Sequence, residues 1–179
     1  MLGRIRCRSI VGSVLAAALL GIAHLCVMPA HADIVSGPPD KPHGDSWRIE
    51  TGEGVRTALV IPAVSPRAPT VIVLHGAVNS AGWAMRRFGF AEAAAARGLA
   101  AAFPQAVGSH WNDGRRSDRA DDVAFLRRLA AELVERGVAT PKRIYIAGIS
   151  GGGMMALRMV CESADLIAGA GTVIASMPT

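Results

Sequence analysis

Apolar residues follow two different rhythms along this chain. Thr70-Val71-Ile72-Val73-Leu74 is apolar and largely β-branched without polar alternation, the pattern of a strand buried on both faces of a parallel sheet. From Asp121 to Gly137, Val123, Leu126, Leu129, Ala130, Leu133 and Val134 recur at spacings of three and four, which predicts an amphipathic helix. Aspartates at its start, Arg136 in its last turn and Gly137 after it agree with the helix dipole and a glycine C-cap. The same reading predicts one helix over Ala81 to Arg97 stopped by Gly98, a short strand over Leu99 to Phe103 before Pro104, and a strand over Ile144 to Ala147. A helix over Gly151 to Cys161 and a strand over Gly171 to Ala175 follow. Upstream, Trp47 to Glu50 and Arg56 to Ile61 predict antiparallel strands joined by Gly52-Glu53-Gly54, with Pro62 to Pro69 as a loop. Strands alternating with helices imply βαβ units, an α/β fold with a mostly parallel sheet and helices on both faces.

The first residues follow neither rhythm. Arg4, Arg6 and Arg8 precede an apolar run from Ile10 to Val27 broken only by His24, and Ala30-His31-Ala32 reads as an A-x-A cleavage site. This predicts a Sec signal peptide over residues 1–32 and export of a mature chain, extracellular or periplasmic, with no stable membrane association after cleavage. An uncleaved anchor is the alternative, because the apolar run is near the lower limit for spanning a bilayer. A lipoprotein signal at Cys26 fits less well, since Ala23-His24-Leu25 is a poor approach to a lipid-modified cysteine. Residues 33–44, rich in Pro, Gly and charge, read as a flexible leader, which leaves one folded domain over residues 45–179.

Composition then corrects two first impressions. The formal charge is +5, but three of the arginines fall in the signal peptide, which has no acidic residue, so the mature chain carries only +2. That balance gives no reason to expect a nucleic-acid partner. Of the three cysteines, Cys7 and Cys26 also fall in the signal, so Cys161 offers no internal disulfide framework and reads as a small buried residue on a helix.

The candidate chemistry sits at Gly148-Ile149-Ser150-Gly151-Gly152, a G-x-S-x-G pentapeptide between a predicted strand and a predicted helix. A nucleophile elbow needs this setting: a strand entering a very tight turn, a strained serine at its apex, and a helix starting at once. The residues two before and two after the serine must be small because strand and helix backbones approach closely there. Gly148 and Gly152 occupy those positions. The helix N-terminus would direct the Gly151 amide at an oxyanion formed during acyl transfer. A second donor is expected from the loop after the third strand, Leu74-His75-Gly76-Ala77, with Ala77 N–H the candidate. A purely structural glycine turn is the alternative. A P-loop is excluded because no Lys-[Ser/Thr] follows, and a dinucleotide fingerprint because the glycine phase is wrong. His75, closing a strand before glycine, reads as a structural hydrogen-bonding residue, and His110 and Trp111 as surface residues of a polar loop, with the lining of a pocket as the alternative.

In order and spacing, "VIVLHG", "FPQ", "WNDGR", "DDVAFLRRL", "PKRIYIAGISGGGMMALRM" and "CE" resemble the secreted α/β-hydrolases of the polyhydroxybutyrate depolymerase-like esterase family, with its feruloyl and acetylxylan esterase relatives. The likeness covers about Trp47 to Pro178. It implies an α/β-hydrolase fold and hydrolysis of a carboxylic ester (polyester, aromatic-acid or acetyl) by a serine nucleophile, with no metal or organic cofactor. It implies Ser150 as nucleophile and Ala77 with Gly151 as the oxyanion hole. Gly151 departs from the larger residue common in the family, which predicts a looser elbow.

A second departure is chemical. The family's triad runs Ser, then Asp or Glu, then His. The sequence ends 29 residues after Ser150, and that segment holds only Glu162 and Asp165 as acids and no histidine. The expectation is a catalytic domain represented by its N-terminal part, ending after about the sixth strand with an open sheet edge, and without triad acid or histidine. Substitution of the base by His75 is a weak alternative on this reading. An inactive exported remnant or binding module of the same fold is the rival to the esterase. A partner subunit covering the open edge is neither supported nor excluded.

Overall fold

The computed structural model describes residues 43–115 and 120–176. The signal peptide and residues 33–42 of the leader expected from the sequence lie outside the described residues. Strand β1 (Asp45–Thr51) pairs antiparallel with β2 (Gly54–Ile61) through a tight turn in which Gly54 takes φ +111. Strand β3 (Ala68–Leu74) leads into α1 (Ala81–Arg87) and α2 (Phe90–Ala95), and β4 (Ala100–Pro104) follows. Then come α3 (Asp122–Glu135), β5 (Ala139–Ile149), α4 (Gly151–Glu162) and β6 (Ile167–Val173). The six strands form one sheet in the order β1-β2-β4-β3-β5-β6. β2 meets β4 antiparallel, and β4, β3, β5 and β6 run parallel. Because Leu74 is in register with Gly148, the loops leaving β3 and β5 emerge side by side at the C-terminal end of the parallel strands.

Each face of the sheet has its own apolar layer. Ile72, Leu74, Ile144 and Ile146 point to the face covered by α3 and α4, where Phe125, Leu126, Leu129, Leu133, Met155 and Met159 are buried. Each such side chain contributes roughly 1.5–3 kcal/mol by leaving water. Val73, Ala101 and Phe103 point to the opposite face, covered by Ala84, Met85, Ala91 and Ala94. Alanines dominate this second layer, so α1 and α2 lie close to the sheet.

Three sequence expectations change. The helix read as continuous from Ala81 to Arg97 is two helices, because Gly89 takes φ +65 and stops the first. An alanine-rich stretch suits both sides of such a break, so its periodicity does not reveal it. β5 begins at Ala139 rather than Ile144, since Ala139 pairs with Ala68 across a bulge. β6 runs over Ile167–Val173 rather than Gly171 to Ala175, with its hydrogen bonds supplied by β5 and not by any β propensity of its own Ala and Gly residues.

Candidate active site

β5 reaches Ser150 and the chain reverses within that single residue: φ is 53° and ψ −119°, and α4 starts at Gly151. A serine in this region costs about 1–3 kcal/mol and persists only where the surroundings enforce it. Two backbone hydrogen bonds do so, Ser150 N–H to Val173 O at 2.9 Å and Met154 N–H to Ser150 O at 3.0 Å. The glycines permit the approach. A Cβ on Gly148 would stand 2.2 Å from Gly152 O, and one on Gly152 would stand 2.4 Å from both Leu74 O and His75 O. Ser150 is exposed and its hydroxyl caps no helix N–H, which leaves the first amides of α4 unbonded by it.

The β3 loop forms the opposite wall. A Cβ built on Gly151 would lie 3.5 Å from Ala77 N, and one on Gly76 would lie 3.9 Å from Ser150 Cβ. Ser150, Gly151 and Ala77, named from separate stretches of sequence, therefore come together. A hydroxyl beside two backbone amides, one at a helix N-terminus, is an arrangement able to attack a carbonyl and hold the resulting oxyanion.

Side chains hold that second loop in place. His75 is fully buried. Its Nδ1 lies 2.8 Å from Gly76 O, an acceptor, and its Nε2 accepts the Ala106 N–H at 3.2 Å. The partners fix a neutral ring with the proton on Nδ1. Burial lowers its pKa from the ordinary 6.5, against the opposing pull of the Gly76 carbonyl. Both ring nitrogens are committed to backbone, so His75 is not available as a base for Ser150.

Trp111 corrects an expectation of surface exposure. It is 4% exposed, because its Nε1–H donates to His75 O at 2.9 Å while its ring packs against the imidazole at 5.0 Å between centroids. His110 is half-buried, with Nδ1 2.8 Å from Gly108 O. Gln105 Oε1 accepts the Ala81 N–H, and Val78 N–H donates to Ser109 O. Farther along, the buried Asp122 carboxylate takes the Asn112 N–H at 2.6 Å and Arg56 Nη2 at 2.7 Å, and Arg56 lies over Phe125. Thus the loop after β4 is tied both to the β3 loop and to the start of α3. The sequence reading missed Gln105, Ala106, Trp111 and Asp122 as parts of this wiring; "FPQ", "WNDGR" and "DD" were the only signals of them.

After Ser150, both acids are already occupied on arginines: Glu162 with Arg158 at 2.8 Å and Asp165 with Arg127 at 2.8 Å. The Arg127 hydrogen bond lowers the Asp165 pKa. Among the described residues, no group of three or more His, Cys, Asp or Glu is placed to hold a metal ion.

Residues 71–179 match the family model described as the alpha/beta hydrolase family. NocK of Nocardia uniformis subsp. tsuyamanensis, a protein bearing an esterase name, is 36% identical over 123 residues, 66% of this chain and 36% of its own length. Feruloyl esterase B of Piromyces equi is 37% identical over 107 residues, covering 58% of this chain and 20% of its own. Poly(3-hydroxybutyrate) depolymerase of Ralstonia pickettii is 27% identical over 172 residues, 84% of this chain and 35% of its own. The chain spans about a third or less of the length of these relatives. Among solved structures, the Staphylococcus aureus fluorophosphonate-binding serine hydrolase F superposes with a TM-score of 0.60 at 16% identity, over 72% of this chain and 56% of that one, a likeness of fold.

Proposed function

This chain belongs to the alpha/beta hydrolase family, and on that premise we propose that it is the nucleophile-bearing part of an exported carboxylic ester hydrolase. The observation that carries the reading is the strained turn at Ser150 facing Ala77 and Gly151. Ser150 Oγ attacks the ester carbonyl carbon; the π pair moves to oxygen, and the Ala77 and Gly151 amides hold the oxyanion. The proton lost by Oγ is taken by the general base and returned to the leaving oxygen as the C–O bond breaks, so collapse expels the alcohol and leaves an acyl-enzyme, which water hydrolyses with return of a proton to Ser150. Esterase and depolymerase relatives support an ester substrate, whether polyester, aromatic-acid or acetyl. Export ahead of Asp33 suits substrates too large to enter a cell.

The base and its acid belong, on this reading, to sequence outside these 179 residues. What supports this is the commitment of His75 to backbone, of Glu162 and Asp165 to arginines, and the family order in which acid and histidine follow the serine. An elbow and oxyanion hole without a base retain about 10³–10⁴-fold acceleration over water. Excess fluorophosphonate therefore labels Ser150 slowly and selectively: the Oγ–P bond forms, the P–F bond breaks, and the hydroxyl proton goes to solvent. Peptide mass mapping finds the label on Ser150 and none in Ser150→Ala, and the rate climbs with pH without a plateau near neutrality. Label spread over many serines, at the rate of the urea-unfolded chain, would sink the proposal and favour the inactive remnant.

A further inference from the structure

We propose that His75 is a positioning residue that aims the Ala77 amide at the oxyanion, by clamping the carbonyl of the Gly76–Ala77 peptide through its Nδ1–H. The inference rests on the ester hydrolase reading and assigns a task to a buried histidine that takes no part in proton transfer. In a planar trans peptide the C=O and N–H point in opposite directions, so fixing one fixes the other. The Gly76 carbonyl is held at 2.8 Å by the ring and, more weakly, at 3.3 Å by the Asn79 N–H. Glycine offers little steric resistance to a peptide flip. Such a flip would turn a carbonyl oxygen toward the developing negative charge in place of the amide.

The loop is not held by local preference. Val78, directly after Ala77, takes φ +56, a region that a β-branched residue rarely adopts, and it is 78% exposed. Its conformation is maintained by the N–H bond to Ser109 O, and that of the preceding peptide by His75. The ring itself is fixed from the far side: Ala106 N–H meets Nε2, Trp111 packs on the imidazole, and its indole N–H holds His75 O. Imidazole thus transmits the position of the β4 loop to the amide beside Ser150.

Two substitutions separate this role from general support. His75→Asn places an amide nitrogen near the Nδ1 position and discards the Nε2 acceptor; His75→Gln does the reverse. Fluorophosphonate labelling of Ser150 is expected within about threefold of wild type in His75→Asn and slowed about tenfold or more in His75→Gln. Both variants lose thermal stability. Equal slowing in the two, or slowing confined to His75→Asn, overturns the proposal while leaving the hydrolase reading intact. A wild-type chain without label on Ser150 overturns the hydrolase reading and the role of Ala77 with it. Imidazole ¹⁵N spectra of the wild type provide a test that needs neither variant nor label: Nδ1 protonated and Nε2 bare at neutral pH are expected, and the opposite tautomer refutes the clamp.

Discussion

The turns that follow β3 and β5 do the same job by opposite means. Each brings one backbone amide, that of Ala77 or of Gly151, close beside Ser150. The β5 turn is positioned by what it lacks: Gly148 and Gly152 have no Cβ, and strand, helix and neighbouring loop close onto the gap. The β3 turn is positioned by what surrounds it, since His75, Gln105 and Trp111 hydrogen-bond backbone groups along and beside it. The first kind of turn is written in five consecutive residues. The second depends, beyond the local His75–Gly76 bond, on contacts 24 to 36 residues apart.

The sharpest way to break the comparison is to fill the gap. Gly152→Ala brings a Cβ to 2.4 Å from two backbone oxygens, which no side-chain movement can relieve, so β3 and α4 must separate. Overpacking of this severity is expected to cost about 3 kcal/mol or more, read as a lower urea midpoint together with loss of Ser150 labelling. Gly171→Ala is the control, because a Cβ there meets nothing within 4 Å. If the two variants proved equally stable, close approach would not be what shapes the elbow.

This difference also decides what could be read in advance. The elbow was legible because its determinants are local: small residues at fixed offsets from Ser150, an apolar run before it and a helical pattern after it. So was the parallel sheet, from the unbroken apolar run of β3 and the heptad-like spacing in α3. His75 was legible in kind, as a hydrogen-bonding residue, but not its partners, since nothing in Leu74-His75-Gly76 indicates that Ala106 lies 31 residues ahead in sequence and within hydrogen-bond distance in space. Trp111 reads as a surface residue because polar neighbours surround it in the chain, whereas in the fold it lies under His75. Gly89 was hidden differently, within alanines compatible with either a continuous or a broken helix.

A smaller effect distinguishes the wired turn by pH. Burial lowers the His75 pKa below 6.5, with Asp122 opposing and His110 reinforcing the shift. As pH falls through 6.5 the unfolded chain takes up this proton while the folded chain does not, so His75's contribution to stability is present above 6.5 and declines toward the lowered native pKa. Urea midpoints measured between pH 7.5 and 5 should fall more steeply for wild type than for His75→Asn, by the effect of no more than one proton. Parallel curves would mean that His75 titrates alike in both states and is not enclosed as the structure has it.

The smallest expected effect concerns Gly151, where the family commonly carries a larger residue. Its hypothetical Cβ meets Ala77 N at 3.5 Å and Ala77 Cβ at 3.7 Å, which is ordinary contact, and its φ is not in the left-handed region. The elbow therefore does not need glycine there as it does at Gly148 and Gly152; the space above Gly151 is available rather than required. Gly151→Ala removes freedom from the unfolded chain without strain in the folded one, so a gain of up to about 0.5 kcal/mol is expected, with Ser150 labelling within about twofold of wild type. Differential scanning calorimetry alongside the labelling assay checks both. A labelling rate that collapsed at undiminished stability would place the reacting oxygen where that methyl group stands, and the two amides would then have to be regarded as converging on a point closer to Ala77 than to the serine.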